Sequence, residues 1–301
     1  MSSVENVEFK TVDGVTLRGK IYHATQPGPG IVMCPGFNGV KDLGGLPELA
    51  EAFQKADITA LLYDPRSVGS SEGKPRNHID PFKQIEDYSD ALSFLGTYPN
   101  VDPDQVGLWG ISLSAGVALS VAAFDKRAKF VIAVCPVAEY QYEAAKMGKI
   151  LRACFKDRES QVKGNPPFYV SMVGDDGQSP AGLEFGHDRE RAAEWAKRGV
   201  ELAAHHVNQT TVQSYHKIAM WHPWPMWKHI APTPVLFLVP EQDTICPPEE
   251  QLRHYNDLEG PKVCHLRKGK GHLDLLEGED FGEVAKLQVD FLWDAFGDKI
   301  S

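Results

Sequence analysis

Apolar and polar residues alternate through VEFKTVDGVTLRGKIYHA on both sides of Asp13-Gly14. Two such runs joined by an Asp-Gly turn predict a β-hairpin near the start of the chain. The pattern then changes. GIVMCPGF and ITALLYDPR are near-continuous apolar runs, whereas LPELAEAFQKADIT and PFKQIEDYSDALSFLGTY carry apolar residues at helical spacing. QVGLWGIS reads as a strand, LSAGVALSVAAF as a helix and AKFVIAVCPVA as a strand. Apolar strands alternating with helices predict an α/β fold whose mostly parallel sheet is covered on both faces.

The alternation stops at about residue 139. From there to residue 231 the chain is rich in charge, Trp, His and Pro, as in GNPPFYVSMVGDDGQSP and AMWHPWPMWKHIAP. PVLFLVPEQD and KVCHLRKGKGH then resume the strand pattern, and EVAKLQVDFLWDAF is a final helix. The reading is one core built from residues 1–138 and 232–301, interrupted by an insertion at 139–231. A structureless loop of roughly ninety residues would be exceptional, so the insertion should carry its own helices. The chain shows no internal repeat and no low-complexity tract.

Length and charge narrow the function. A chain of 301 residues can hold one large α/β domain. Its net charge of −10 opposes contact with phosphate backbones, so nucleic acid is not expected as a partner. MSSVENVEFK lacks the apolar stretch of a secretory leader, and runs such as FVIAVCPVA are too short to span a bilayer. The five cysteines, Cys34, Cys135, Cys154, Cys246 and Cys264, form no CxxC pair. Reduced thiols in the cytoplasm are the expectation.

The candidate chemistry begins at LWGISLSAG, where a strand gives way to a helix at Ser112. A serine on such a turn exposes its Oγ beyond the carboxyl end of the sheet, provided that the residues at −2 and +2 are small. Gly110 and Ser114 meet that need. A serine hydroxyl is a weak nucleophile at neutral pH and needs a base, which needs an orienting acid. His272 follows the last strand in a loop flanked by glycine, and Asp243 follows the strand before it. Both lie at the edge where Ser112 is expected. Glu241 and Asp274 compete with Asp243 as the acid. The oxyanion donors are expected to be the backbone N–H groups of Leu113, at the helix start, and of Phe37 in CPGFNGVKD, with Asn38 as the alternative. In YDPRSVGSSEG, Asp64 and Arg66 are expected to pair and brace the loop.

Taken in order, CPGFNGVKD, DPRSVGSSEG, GISLSAG, PEQDTICPPE and GKGHLDLLEG resemble the landmarks of the α/β-hydrolase superfamily over the chain apart from the insertion. More narrowly, the chain is similar to the fungal polyketide transferase and thiohydrolase-like branch. The resemblance implies an α/β-hydrolase fold with a helical cap and a Ser112–Asp243–His272 triad. It also implies acyl chemistry on an ester, thioester or polyketide substrate, carried in some cases by a carrier protein, with no cofactor. Ser114, where glycine is commoner, is the one departure in the turn.

A cap at residues 139–231 would shape the substrate site. Trp221, Trp224 and Trp227, with Phe168 and Tyr169, are candidate lining residues, set against simple packing of the cap. His205, His206, His216, His222 and His229 follow no metal-ligand spacing, so no metal is expected. The function read here is an esterase, thioesterase or acyltransferase working through an acyl-enzyme. The alternatives are a ligand-binding or non-hydrolytic cyclisation protein on the same fold, and a peptidase. The oligomeric state stays open between monomer and homodimer.

Overall fold

The computed structural model describes residues 3–140, 142–183, 185, 188–203 and 205–297. Strands β1 (Val4–Lys10) and β2 (Thr16–Tyr22) pair antiparallel from Lys10↔Thr16 to Val4↔Tyr22, which is the hairpin that the Asp13-Gly14 pattern predicts. The chain continues through β3 (Gly28–Cys34), α1 (Leu46–Lys55), β4 (Thr59–Tyr63), α2 (Pro81–Leu95), β5 (Val101–Ile111), α3 (Leu113–Phe124) and β6 (Val131–Val134). It ends with β9 (Val235–Pro240), α7 (Pro248–Asp257), β10 (Lys262–Arg267) and α8 (Phe281–Phe296). The sheet order is β1-β2-β4-β3-β5-β6-β9-β10. The β1–β2 and β2–β4 pairs are antiparallel, and every other pair is parallel.

Burial explains the apolar runs. Every residue of β4, β6 and β9 is buried, because helices cover both faces of the central sheet. One core lies between the sheet and α2 and α3, and the other lies under α1 and α8. Trp109 Nε1, buried on β5, donates to Gln288 Oε1 of α8 at 2.6 Å and pins that second layer. The start of α2 is set by Asp80, whose carboxylate accepts the Phe82 N–H at 3.2 Å, with Pro81 next in the chain.

Between β6 and β9 the chain leaves the sheet. This stretch holds α4 (Ala144–Val162), α5 (Arg189–Leu202), α6 (Val212–Ala219) and a 3₁₀ turn at Trp224–His229. It also holds a small antiparallel pair, β7 (Tyr169–Val170) with β8 (Thr210–Thr211). The structure differs from expectation at the Asp64 loop. Asp64 does not pair with Arg66. Its carboxylate takes the Lys41 backbone N–H and Nζ, each at 2.8 Å, and the Ser70 hydroxyl at 2.6 Å. Arg66 points the other way, to Asp87 and to Asp13 at 2.9 Å. Burial at Asp64 favours the nearby Lys41 ammonium and the converging loop donors, and leaves Arg66 for the buried Asp87.

Candidate active site

β5 ends at Ile111, and Ser112 turns the chain into α3 at φ 58°, ψ −122°. Such a backbone strongly favours glycine, so the serine is held there by its surroundings. The turn closes only because position 110 has no side chain: a Cβ there would lie 2.3 Å from the Ser114 carbonyl oxygen. Ser114 has its own use. Its hydroxyl donates to the Cys34 carbonyl at 2.7 Å and accepts the Ile111 N–H at 2.9 Å, tying the turn to the end of β3. The departure from glycine therefore adds a brace.

The loop after β3 passes directly over this turn. A Cβ on Gly36 would sit 3.1 Å from Ser112 Cβ and 3.7 Å from its Oγ. Among the described residues, neither the Phe37 nor the Leu113 backbone N–H has a hydrogen-bond partner. Leu113 opens α3, where the first N–H groups lack helical acceptors and the helix dipole favours negative charge. The Asn38 side chain is engaged elsewhere, donating to the Val207 carbonyl at 2.8 Å and accepting from Asn77 at 3.2 Å.

Asp243 follows β9 and is buried. One carboxylate oxygen accepts the Ile245 and Cys246 backbone N–H groups at 2.9 and 2.8 Å. The other accepts Gln251 Nε2 at 3.1 Å and lies 2.8 Å from His272 Nδ1. The competing acids are occupied. Glu241 accepts the Gly269 N–H at 2.9 Å, and Asp274 accepts the Gly271 N–H at 2.6 Å and pairs with Arg191.

His272 is buried beyond β10, and its backbone N–H points to Asp188 at 3.4 Å. Burial alone would lower the affinity of its ring for a proton. The adjacent Asp243 carboxylate outweighs burial and raises it well above the ordinary histidine range. Ser112 and His272 line the same cavity. His272 Nε2 lies 3.9 Å from Cys135 Sγ, and no Ser112 Oγ–Nε2 hydrogen bond forms among the described residues. Cys135 follows β6 at φ 39° and is fully buried, which pushes its thiol up; burial likewise pushes Cys246 up to about 12. Cys135, Asp243 and His272 bring three ligand-type atoms within 4.8 Å. The Asp243 oxygens are already committed to four donors, so this cluster reads as a hydrogen-bonded array.

The cavity opens over the Ser112 turn and reaches into the segment between β6 and β9. Leu43, Met172, Phe185, Trp195, Ile245 and Leu276 line it, with Tyr140 and Glu277. Its wall is almost wholly apolar, with Ser112 and His272 as its convergent polar groups. The five aromatic residues expected to line it lie elsewhere. Trp221 is buried and meets Phe82 edge-on at 5.3 Å. Trp227 donates to Ser120 at 3.1 Å, and Trp224 stacks on His254 at 5.6 Å. Phe168 is exposed, and the Tyr169 hydroxyl donates to the Arg76 carbonyl at 3.0 Å. Trp195 and Phe185 carry no local sequence signal of this role beyond the helical spacing of Ala192, Trp195 and Gly199.

The model of the alpha/beta hydrolase family matches residues 31–287. A thiohydrolase of Eupenicillium brefeldianum is 46% identical over 288 residues, covering 96% of this chain and 93% of the relative. The polyketide transferase ATR5 of Stachybotrys chlorohalonatus is 40% identical, covering 96% of each chain. Among solved structures, DcsB in complex with its substrate analogue superposes with a TM-score of 0.92 at 38% identity, over 97% of this chain and 100% of that one. The alpha/beta hydrolase GrgF from Penicillium sp. sh18 gives a TM-score of 0.88 at 38% identity, over 98% and 99%.

Proposed function

The chain belongs to the alpha/beta hydrolase family, and we propose that it is a serine acyl-transfer enzyme acting on an apolar polyketide-type thioester or ester. Ser112 is the nucleophile, His272 the base and then the acid, and Asp243 the orienting carboxylate. Residues 139–231 act as a cap that supplies Met172, Phe185 and Trp195 to the acyl site. The five unpaired cysteines suit a reducing compartment, and we place the enzyme in the cytoplasm.

The Asp243 contact requires the proton on Nδ1, which leaves Nε2 as the acceptor facing the cavity. Ser112 Oγ attacks the acyl carbonyl as Nε2 takes its proton. The tetrahedral oxyanion is held by the Leu113 and Phe37 N–H groups. The C–S or C–O bond then breaks, and the leaving thiol or alcohol takes the proton back from Nε2. Water, or a second nucleophile in a transfer reaction, gives its proton to Nε2 and attacks the acyl-serine. The acyl product leaves and Ser112 is restored.

One observation carries this reading: a buried imidazole held by a carboxylate at 2.8 Å lines the same apolar cavity as a serine in strained backbone. Intact-mass analysis after treatment with a fluorophosphonate tests it. One adduct on Ser112, absent in Ser112→Ala, is expected. A folded protein that takes no adduct would overturn the assignment.

A further inference from the structure

Helix α4 presents an unusual outer face. Lys149, Arg152, Lys156 and Lys163 are all exposed, and at 3.6 residues per turn they fall on one line along the helix. Phe155 and Val162 lie beside that line, 53% and 85% exposed, and Arg158 lies on their far side. Among the described residues none of these five cations makes an ion pair. Glu159 is the one exposed acid of the helix. The opposite face is spent inward: Ile150 and Cys154 are in the core, and Asp157 accepts Gln213 at 2.8 Å and the Phe168 N–H at 2.7 Å. An unpaired basic stripe with two exposed apolar residues stands out on a chain of net charge −10.

The helix that carries the stripe is tied to the cavity wall at its N-terminal end. At the near end of α4, the Glu143 N–H donates to the Gly182 carbonyl at 2.9 Å, and Lys146 packs over Gly182. The next residue, Leu183, lines the cavity.

We infer that the outer face of α4 docks an acidic helical protein that delivers the acyl group as a thioester on a flexible arm. This rests on the thioester reading of the site above. From Lys149 to Lys163 the stripe runs about 21 Å at 1.5 Å per residue, longer than a nucleotide headgroup would use. Its form suits a facing acidic helix whose apolar residues meet Phe155 and Val162. Complementary charge would set orientation and on-rate more than final affinity.

The test uses the full chain, an acidic acyl carrier protein bearing an octanoyl thioester, and octanoyl-N-acetylcysteamine as the carrier-free thioester. Fluorescence anisotropy should show the labelled carrier protein binding at 50 mM salt. Raising salt to 300 mM, or combining Lys149→Glu, Arg152→Glu and Lys156→Glu, should weaken binding at least tenfold. The Gln versions of the same three positions should give a smaller loss. Turnover of the small thioester should stay within twofold throughout. No binding by the parent, or equal binding by parent and variant, overturns the docking surface. So does tighter stripe-dependent binding of duplex DNA or of phosphatidylserine vesicles. The two readings separate cleanly. Stripe-dependent binding without turnover of either thioester would sink the catalytic assignment alone. Turnover of both thioesters with no dependence on the stripe would sink the docking surface alone.

Discussion

Cys135 Sγ lies 3.9 Å from His272 Nε2, the ring nitrogen that faces away from Asp243. A thiol therefore lies at the imidazole that shares a cavity with the Ser112 hydroxyl. Burial decides between them, because it raises the Cys135 thiol above its ordinary range and keeps it protonated and sealed. Iodoacetamide at pH 7.5 should leave activity intact over minutes, whereas a fluorophosphonate should abolish it. Fast inactivation by the thiol reagent, with the adduct mapped to Cys135, would reverse that ranking.

The same imidazole sets a pH dependence. In the proposed mechanism Nε2 accepts the serine proton only when the ring is neutral, and Asp243 lifts its proton affinity above the ordinary 6.5. Activity should therefore fall as pH drops, and the acid limb of kcat/KM should lie above that value. Asp243→Asn should cost about 10⁴ in kcat, as for a comparable triad carboxylate. An acid limb well below 6.5 in the parent enzyme would contradict the ion pair.

Ser112 stores backbone strain. At φ 58°, ψ −122° glycine is the relaxed residue, and strain of this kind costs on the order of 1–3 kcal/mol. Ser112→Gly should be inactive yet more stable than the parent in urea titration. Ser112→Ala, which keeps a Cβ, should be inactive at near-parent stability. A glycine variant no more stable than the alanine variant would show that the turn is unstrained.

The cavity wall predicts a split among the tryptophans. Trp195→Ala should raise KM for medium-chain acyl thioesters by roughly tenfold, the scale of lost apolar contact in a pocket. Trp224→Ala, whose ring stacks on His254 outside the cavity, should leave KM unchanged. Equal effects from both would mean that the acyl chain lies elsewhere.

His206 is buried against Trp195, with ring centroids 5.3 Å apart, and among the described residues neither of its ring nitrogens has a partner. Burial lowers its proton affinity, so the unfolded chain takes up a proton at a higher pH than the fold does. Stability should therefore drop as pH falls below about 6.5, the unperturbed value. His206→Phe should remove that loss and gain about 1 kcal/mol at pH 6, because no buried polar atom is left unsatisfied. Parallel pH–stability curves for parent and variant would refute this.

The core was legible because its signals are local. Apolar runs of strand length and helices of regular spacing gave the sheet, and Ser112, Asp243 and His272 each follow a strand whose end the pattern marks. The insertion hid its arrangement because tryptophan packs a cap and lines a pocket with the same apolar surface. Trp221 and Trp227 took the first role and Trp195 the second, a choice made by contacts far away in the chain. The Asp64–Arg66 pairing failed for a similar reason. Proximity in sequence counted for less than the Lys41 and Asp87 side chains brought in from other segments.

The sheet order also has a consequence for synthesis. β10 is the edge strand beside β9 and the last one to be made, and His272 follows it in the chain. Until residue 272 has been made, the Ser112 turn lacks the imidazole proposed as its base. On the proposed mechanism, acylation must therefore wait until the final strand and its following loop have been synthesised.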